Sequence, residues 1–196
     1  MVRAAFFVLC LVPFLALTNA VIANSLGPDP AEHLMHETGE WVMRFLVLVL
    51  AATPLARFGW PRLARYRRML GLFALFYATL HLLVFAQAYI GWSGGILVQE
   101  LAERPYVLVG FLGWLILVPL AVTSVNSIRQ KMGRNWRKLH KLTYAVAILG
   151  WLHLFWLSRS DVGAAVLYGF IFVLLLGLRG RARMTRWLGR RILFLL

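Results

Sequence analysis

Five histidines are the side chains of this 196-residue protein that could hold a metal ion or move a proton. His81 and His153 each stand inside a long apolar run, where an ionisable side chain is costly and usually functional. His140 lies in a basic stretch, and His33 and His36 lie three residues apart in an acidic one. That last pair could bind a metal ion, but the acidic residues beside it favour a solvated helix face, so the first three are the main candidates for chemistry.

His81 and His153 are expected at the same depth in the membrane. Each follows its segment's first residue, Leu70 or Leu142, by 11 positions, which places it about 16–17 Å along a helix. No acidic or cysteine ligand lies near either of them, so a hydrolytic metal site is poorly supported. Two facing imidazoles could instead ligate the iron of one b-type haem. A structural hydrogen bond is the alternative.

Small residues near both histidines could leave room for a porphyrin. Gly71, Ala74, Ala78 and His81 follow one another at steps of three, four and three, which places them on one helix face. Gly150 lies three residues before the second histidine of the pair. These four small residues are candidates for haem space, and an ordinary helix-packing seam is the alternative.

His140 is expected near the cytoplasmic surface, about 20 Å along the helix from His153. This spacing suits a second haem at the inner face. The position 13 residues before His81 is Arg68, however, so a second haem would need an unusual ligand or none. An interfacial histidine in a basic stretch is the alternative.

Six apolar segments must position these side chains. The chain is 61% hydrophobic and 14% charged, with a mean hydropathy of +0.75, and a spanning helix needs about 20 mostly apolar residues. The segments lie near residues 4–23, 41–55, 70–90, 106–124, 142–157 and 162–178. We expect an all-α, polytopic integral membrane protein whose residues 1–196 form one six-helix bundle with short loops. The second and fifth segments are short and are expected to extend into their polar flanks.

The net charge of +14 is concentrated between the apolar segments. Of the 21 Lys and Arg residues, 17 lie between segments two and three, between segments four and five, or after segment six. The loops between them carry the acidic residues. Excess Lys and Arg marks cytoplasmic loops, so both termini are predicted inside. The charge therefore marks one membrane face and does not require a nucleic acid partner.

The first segment allows two interpretations. Its apolar run continues past Ala20 to Ala23, which favours a retained spanning helix. A signal peptide is the alternative and would leave five spans. The single cysteine, Cys10, excludes disulfides within the chain, iron–sulfur clusters and the C-x-x-C-H attachment of c-type haem.

Four stretches carry a resemblance to a known family. They are GPDPAEHLMHETGEWVM at 27–43, RYRRMLGLFALFYATLHLLVF at 65–85, RPYVLVG at 104–110 and PLAVTSVNSIRQKMGRNWRKLHKLTYAVAILGWLHLFW at 119–156. The chain resembles the haem-binding membrane subunit of the periplasmic methionine sulfoxide reductase system, the MsrQ family of the ferric-reductase-like transmembrane group. The similarity covers most of the chain from about residue 27, and the family's histidines fall on His81, His140 and His153.

The resemblance implies an electron carrier in the bacterial inner membrane. Such proteins bind haem b, are described with FMN, and take electrons from the quinone pool or a cytoplasmic flavin reductase. They pass them to a periplasmic molybdopterin-containing methionine sulfoxide reductase subunit, which repairs oxidised periplasmic proteins. His81 and His153 are then the expected axial ligands of one haem, and His140 would help to bind a second haem or a donor. The chain would be the electron-transfer subunit rather than the catalytic reductase.

Two other functions stay open from the sequence. A small transporter or structural membrane subunit could use the histidines as a proton relay or as packing groups. A stand-alone ferric or quinone reductase could use the same haem without a periplasmic partner. The sequence has no dinucleotide-binding fingerprint in a strand–helix context, so a separate protein or quinol is expected to supply the electrons.

Overall fold

The computed structural model describes residues 2–158 and 162–193, with side chains described as far as residue 179. Within these residues all regular structure is helical, which confirms the all-α expectation. The helices are α1 (Val2–Ile22), α2 (Pro30–Arg57), α3 (Arg67–Ala88), α4 (Gly94–Glu103), α5 (Pro105–Val122), α6 (Asn126–Met132), α7 (Arg134–Leu139), α8 (Leu142–Leu157) and α9 (Gly163–Leu193). A 3₁₀ helix at Pro61–Arg65 precedes α3.

Four of the described helices are long and apolar enough to cross a membrane, and they correspond to the first four predicted segments. These are α1, α2, α5 and the stretch Pro61–Ala88 that contains α3. The fifth predicted segment coincides with α8, which has 16 residues, and the apolar part of α9 is the shorter helix Gly163–Arg179. Both are shorter than the roughly 20 residues of a full span. The count of six spans and the cytoplasmic termini therefore stay predictions.

Helix α2 begins well before the second predicted segment. The Asp29 carboxylate accepts a hydrogen bond from the Glu32 backbone N–H at 2.9 Å, and Pro30 occupies the first turn, so the helix starts with a well-formed cap. The expected extension into the polar flank is confirmed here. It is wrong for the fifth segment, because α7 ends before His140 and α8 begins afresh at Leu142.

The core of the bundle lies where α2 packs along α3 and where α5 packs along α8. Its most buried side chains are Leu46, Leu50, Ala74, Tyr77 and Ala147. The hydroxyl of Tyr77 donates to the Cys10 carbonyl and accepts from the Phe14 N–H, a pair that would ordinarily bond to each other within α1. A buried side chain thus ties α1 to α3.

An arginine in α9 replaces a backbone hydrogen-bond donor that a proline in α2 removes. Pro54 has no N–H, so the Leu50 carbonyl lacks its helical donor. The Arg179 guanidinium supplies one, since its Nη2 donates to the carbonyls of Leu50 and Val49 and to the Thr53 hydroxyl. Arg179 is 8% exposed, and this set of bonds joins α9 to α2.

The bundle has two chemically different ends. In each antiparallel pair the start of one helix meets the later part of the other, as Met35 of α2 meets His81 of α3 and Tyr106 of α5 meets His153 of α8. We call this the histidine end. The opposite end holds the 3₁₀ helix, α6 and α7, and we call it the basic end.

Candidate functional site

His81 of α3 and His153 of α8 face each other at the histidine end. Their ring centroids are 6.1 Å apart and their planes lie at 90°. A metal–imidazole bond is about 2.0 Å long and a ring nitrogen lies about 1.1 Å from the centroid, so two imidazoles on opposite sides of one metal ion have centroids about 6.2 Å apart. The spacing of this pair matches that arrangement.

Contacts with helix α2 determine which ring nitrogen of His81 carries the proton. The Nδ1 atom of His81 lies 3.1 Å from the Met35 carbonyl oxygen and 3.2 Å from the Thr38 hydroxyl oxygen. The carbonyl can only accept, and the threonine hydroxyl already donates to the Leu34 carbonyl at 2.6 Å. The proton of the neutral ring therefore lies on Nδ1, and the lone pair lies on Nε2.

A contact with helix α5 likewise determines which ring nitrogen of His153 carries the proton. Its Nδ1 lies 2.6 Å from the Tyr106 carbonyl oxygen, which again can only accept. Among the described residues, no hydrogen bond reaches the Nε2 atom of either histidine. The pair therefore offers two Nε2 lone pairs while the other ring nitrogens are held by carbonyls, as in metal sites where a second group orients each imidazole.

Gly39 and Gly110 let the helix backbone approach the rings of His81 and His153, and neither glycine is among the site residues predicted from the sequence. A Cβ atom on Gly39 would lie 3.1 Å from Cε1 of His81, and one on Gly110 would lie 2.7 Å from Nδ1 of His153. Gly39 follows Met35 by one helical turn, and Gly110 follows Tyr106 by one turn. A glycine inside a helix lowers the stability of that helix by about 1 kcal/mol relative to alanine. A glycine within a predicted helix is therefore the sequence signal that could have indicated these close approaches.

The two helix pairs therefore build the same arrangement twice. In each, the histidine of one helix donates to a carbonyl of its antiparallel partner, one turn before a glycine of that partner. The two arrangements meet at the facing rings. The histidines are thus held by backbone on rigid helices, and their orientation does not depend on a loop.

The small residues proposed for haem space lie in different environments. Beside Gly71 no atom would lie within 4 Å of an added Cβ, whereas Ala74 is fully buried in the core and Ala78 is partly buried against it. Gly150 packs against Met43 and Leu46 of α2, since its Cβ would meet both at 3.4 Å. A role for these four positions around a haem stays a prediction.

His140 lies apart from the facing pair, at the basic end. Its Nε2 is 3.1 Å from the Thr123 hydroxyl oxygen, and its ring stacks on Trp136 with centroids 4.1 Å apart. Burial and the positive charge of Arg67 hold the pKa of His140 below its ordinary value, which favours the neutral ring. Arg68, the position singled out by spacing, donates instead to Asn126.

His33 and His36 are both exposed on the first turns of α2. Within residues 2–158 and 162–193, no group of three or more His, Cys, Asp or Glu side chains could hold a metal ion. The facing pair therefore cannot be completed by carboxylates into a hydrolytic site among these residues. Two neutral imidazoles with free Nε2 atoms fit the iron of a haem, whose four other ligands come from the porphyrin.

The sequence of the chain matches a family description and a set of curated relatives. The family described as "Ferric reductase like transmembrane component" matches residues 38–151. A relative from Polaromonas naphthalenivorans, named protein-methionine-sulfoxide reductase heme-binding subunit MsrQ, is 45% identical over 177 residues, which cover 88% of this chain and 81% of that protein. The chain belongs to the MsrQ family.

Other MsrQ relatives are similar to this chain over a comparable length and at a comparable identity. The protein of that name from Xanthomonas oryzae pv. oryzae is 41% identical over 164 residues, or 83% of this chain and 75% of that protein. One from Xanthomonas campestris pv. campestris is 42% identical over the same length. No solved structure matches the chain. The resemblance seen in the sequence to the MsrQ family is therefore confirmed.

Proposed function

We propose that this MsrQ-family chain is a membrane b-type cytochrome that holds one haem between His81 and His153. The observation that carries the proposal is the facing pair of imidazoles, with centroids 6.1 Å apart and both Nδ1 atoms bonded to carbonyls. The names of the relatives, which call them heme-binding subunits, support the same assignment.

The residues of the chain prepare the site for electron transfer. Haem b, when bound, supplies a one-electron carrier. The Met35 and Tyr106 carbonyls hold the protons on Nδ1 and increase the basicity of each Nε2. His81 and His153 would hold the iron from both sides and would leave it no open position for oxygen, which suits a carrier rather than an oxidase.

The partner that receives the electrons is proposed to be a periplasmic, molybdopterin-containing methionine sulfoxide reductase subunit. The relatives are named as subunits of a protein-methionine-sulfoxide reductase, which supports this class of partner. The histidine end carries the acidic residues of α2 and of α4, which suit a basic docking face on that subunit. The sulfoxide reduction itself would take place on the partner.

Electrons are proposed to come from quinol or from a cytoplasmic flavin reductase, at the basic end, in the bacterial inner membrane. FMN is part of the proposal through the family resemblance alone. His140 is the residue proposed to bind a second haem or the donor, because it lies at the basic end beside Trp136 and within reach of Arg67.

The absorbance spectrum of detergent-purified protein, with haem quantified per chain, tests the proposal. We expect a Soret band with sharp α and β bands on reduction and at least one haem per chain. Colourless protein from haem-replete cells would overturn the proposal and would favour a transporter or structural role.

A reconstitution assay separates an electron carrier from a stand-alone reductase. The purified chain in liposomes is given a quinol, or a flavin reductase with its substrate, with and without the periplasmic reductase subunit. We expect the haem to be reduced by one of these donors and reoxidised rapidly only when the subunit and methionine sulfoxide are both present. Equally fast reoxidation by ferric chelates alone would contradict the proposed partner.

A further inference from the structure

Cationic side chains converge at the basic end of the bundle, away from the facing histidines. Arg179 of α9 donates from Nη1 to the Tyr144 hydroxyl at 3.0 Å, and its guanidinium lies 5.4 Å from the centre of that ring. Arg67, the first residue of α3, lies within electrostatic range of both Arg179 and Tyr144, and also of His140. Arg179 of α9 is thus in direct contact with Tyr144 of α8, and Arg67 of α3 lies within electrostatic range of both.

Among the described residues, no acidic side chain balances these charges. The seven Asp and Glu residues all belong to the opposite end in the sequence pattern: Asp29, Glu32, Glu37 and Glu40 at the start of α2, Glu100 and Glu103 in α4, and Asp161 between α8 and α9. Burying a guanidinium in an apolar bundle without a counter-charge is costly. An anion from outside the chain would remove this cost.

The hydrogen bonds of Arg179 do not neutralise it. Its partners are the Val49 and Leu50 carbonyls and the hydroxyls of Thr53 and Tyr144, all of them uncharged. Within the part of the chain that the structure describes, its buried Nε atom has no hydrogen-bond partner, and the residue is 8% exposed. One N–H of a buried guanidinium is therefore still available to an acceptor.

Arg67 is available as well, and the same face of α3 is open one turn later, at Gly71. Among the described residues, Arg67 makes no hydrogen bond and no ion pair. Gly71 follows Arg67 by one turn on the same face of α3, and an added Cβ there would meet nothing within 4 Å. A guanidinium without a partner is suited to a planar or tetrahedral oxyanion, which it can bind through two N–H groups.

We propose that Arg67, Arg179 and Tyr144 form an oxyanion site at the basic end, which takes a phosphate or carboxylate group of a ligand. The site is separate from the haem proposed between His81 and His153, so either can fail without the other. Its ligand is recognised by the charged group alone, which a lipid headgroup, a flavin phosphate or the propionates of a haem could each provide.

The test measures ligand-dependent thermal unfolding of the full chain, purified with its haem in neutral detergent. The probes are inorganic phosphate against chloride at equal ionic strength, FMN against riboflavin, and phosphatidylglycerol against phosphatidylcholine in nanodiscs. We expect at least one charged probe to raise Tm of the wild type in a saturable manner. In the variant Arg67→Gln the apparent Kd should weaken about tenfold or more, because a charge-assisted contact is lost.

Two further variants keep the result interpretable. Arg68→Gln, which changes the exposed neighbouring guanidinium bound to Asn126, should respond to the probes as the wild type does. Tyr144→Phe should weaken binding and covers the case in which Arg179→Gln fails to fold. The low-spin spectrum of the facing pair should persist in Arg67→Gln, and haem lost only at the basic end would identify the propionates as the source.

The proposal is overturned if no charged probe stabilises the wild type beyond its uncharged or chloride control and the haem content of Arg67→Gln is unchanged. It is also overturned if Arg67→Gln and Arg68→Gln lose the same affinity, since the effect would then come from the general positive charge of this face.

Discussion

A histidine whose Nδ1–H donates to a carbonyl has already determined which nitrogen can bind a metal. His81 and His153 are both in this state, and each donates to a carbonyl of the helix that packs along its own. Held by carbonyls of two different helices, the ring planes lie at 90° to each other. The orientation of both rings is therefore set by the polypeptide itself.

The glycines beside the rings give a prediction at this scale. Gly39→Ala and Gly110→Ala should each lower the haem content severalfold, although alanine favours a helix by about 1 kcal/mol. The effect should be larger for Gly110, where the new Cβ would lie 2.7 Å from the ring, than for Gly39, where it would lie 3.1 Å away. Haem per chain and the position of the α band measure it.

Gly177→Ala provides the matched control, because an added Cβ at that helical position meets nothing within 4 Å. Its haem content should equal that of the wild type. If Gly110→Ala bound haem as fully as the control and with the same spectrum, the ring of His153 would not be held as described.

The facing histidines could be predicted from the sequence, whereas their surroundings could not. An ionisable side chain in an apolar run is recognisable from its neighbours in the chain, so the sequence singles out His81 and His153, whose ring centroids lie 6.1 Å apart in the structure. The carbonyls and Gly39 and Gly110 act across helices. Their role depends on which turn of α2 faces α3 and which turn of α5 faces α8, and a single sequence does not contain that alignment.

At the scale of the elements, the link between Pro54 and Arg179 is the most specific feature. Removing the guanidinium in Arg179→Gln should destabilise the protein by about 1–3 kcal/mol, because the Leu50 carbonyl and its neighbours lose a charged donor. In a Pro54→Ala background the same change should cost less, since the alanine backbone supplies an N–H to the Leu50 carbonyl. A double-mutant cycle of unfolding free energies measures the difference.

Tyr77→Phe is a useful comparison for that cycle, because the Tyr77 hydroxyl bridges α1 at Cys10 and Phe14, far from Pro54. Its effect should add to that of Arg179→Gln without coupling. A coupling energy between Pro54 and Arg179 of zero within error would mean that the arginine does not replace the missing backbone donor.

Helix positions were predicted more reliably than helix ends. The fifth segment coincides with α8, and the third and fourth differ from α3 and α5 by a few residues. The second segment was expected to extend into its polar flank, but the length of this extension could not be predicted, because residues 30–40 are polar and Asp29 and Pro30 make them helical through capping rather than hydropathy. The basic stretch before α8 folds as α6 and α7, separated by Gly133 at a φ of +51°.

At the scale of the whole molecule, charge distinguishes the two ends and gives a prediction of orientation. Cysteines introduced singly as Ser25→Cys and Ser127→Cys in a Cys10→Ser background report on opposite ends of the bundle, and both sites are exposed. A membrane-impermeant maleimide added to spheroplasts should label the first site and not the second, because Lys and Arg are retained on the cytoplasmic side. Labelling of the second site should require disruption of the membrane.

The reverse labelling pattern would place the histidine end in the cytoplasm and would contradict delivery of electrons to the periplasm. Equivalent cysteines near residue 2 and in the last described turns of α9 extend the same assay to the termini. With both termini inside, neither should react in intact spheroplasts, which would support an even number of spans.

Electron paramagnetic resonance of the purified ferric protein tests most directly the claim that one haem lies between His81 and His153. Perpendicular imidazole planes predict a strongly anisotropic low-spin signal with a large principal g value. That signal should be lost in both His81→Ala and His153→Ala and kept in His36→Ala, which changes an exposed histidine of the same bundle end. Protein without haem, or a low-spin signal that survives unchanged in either of the first two variants, would contradict the account.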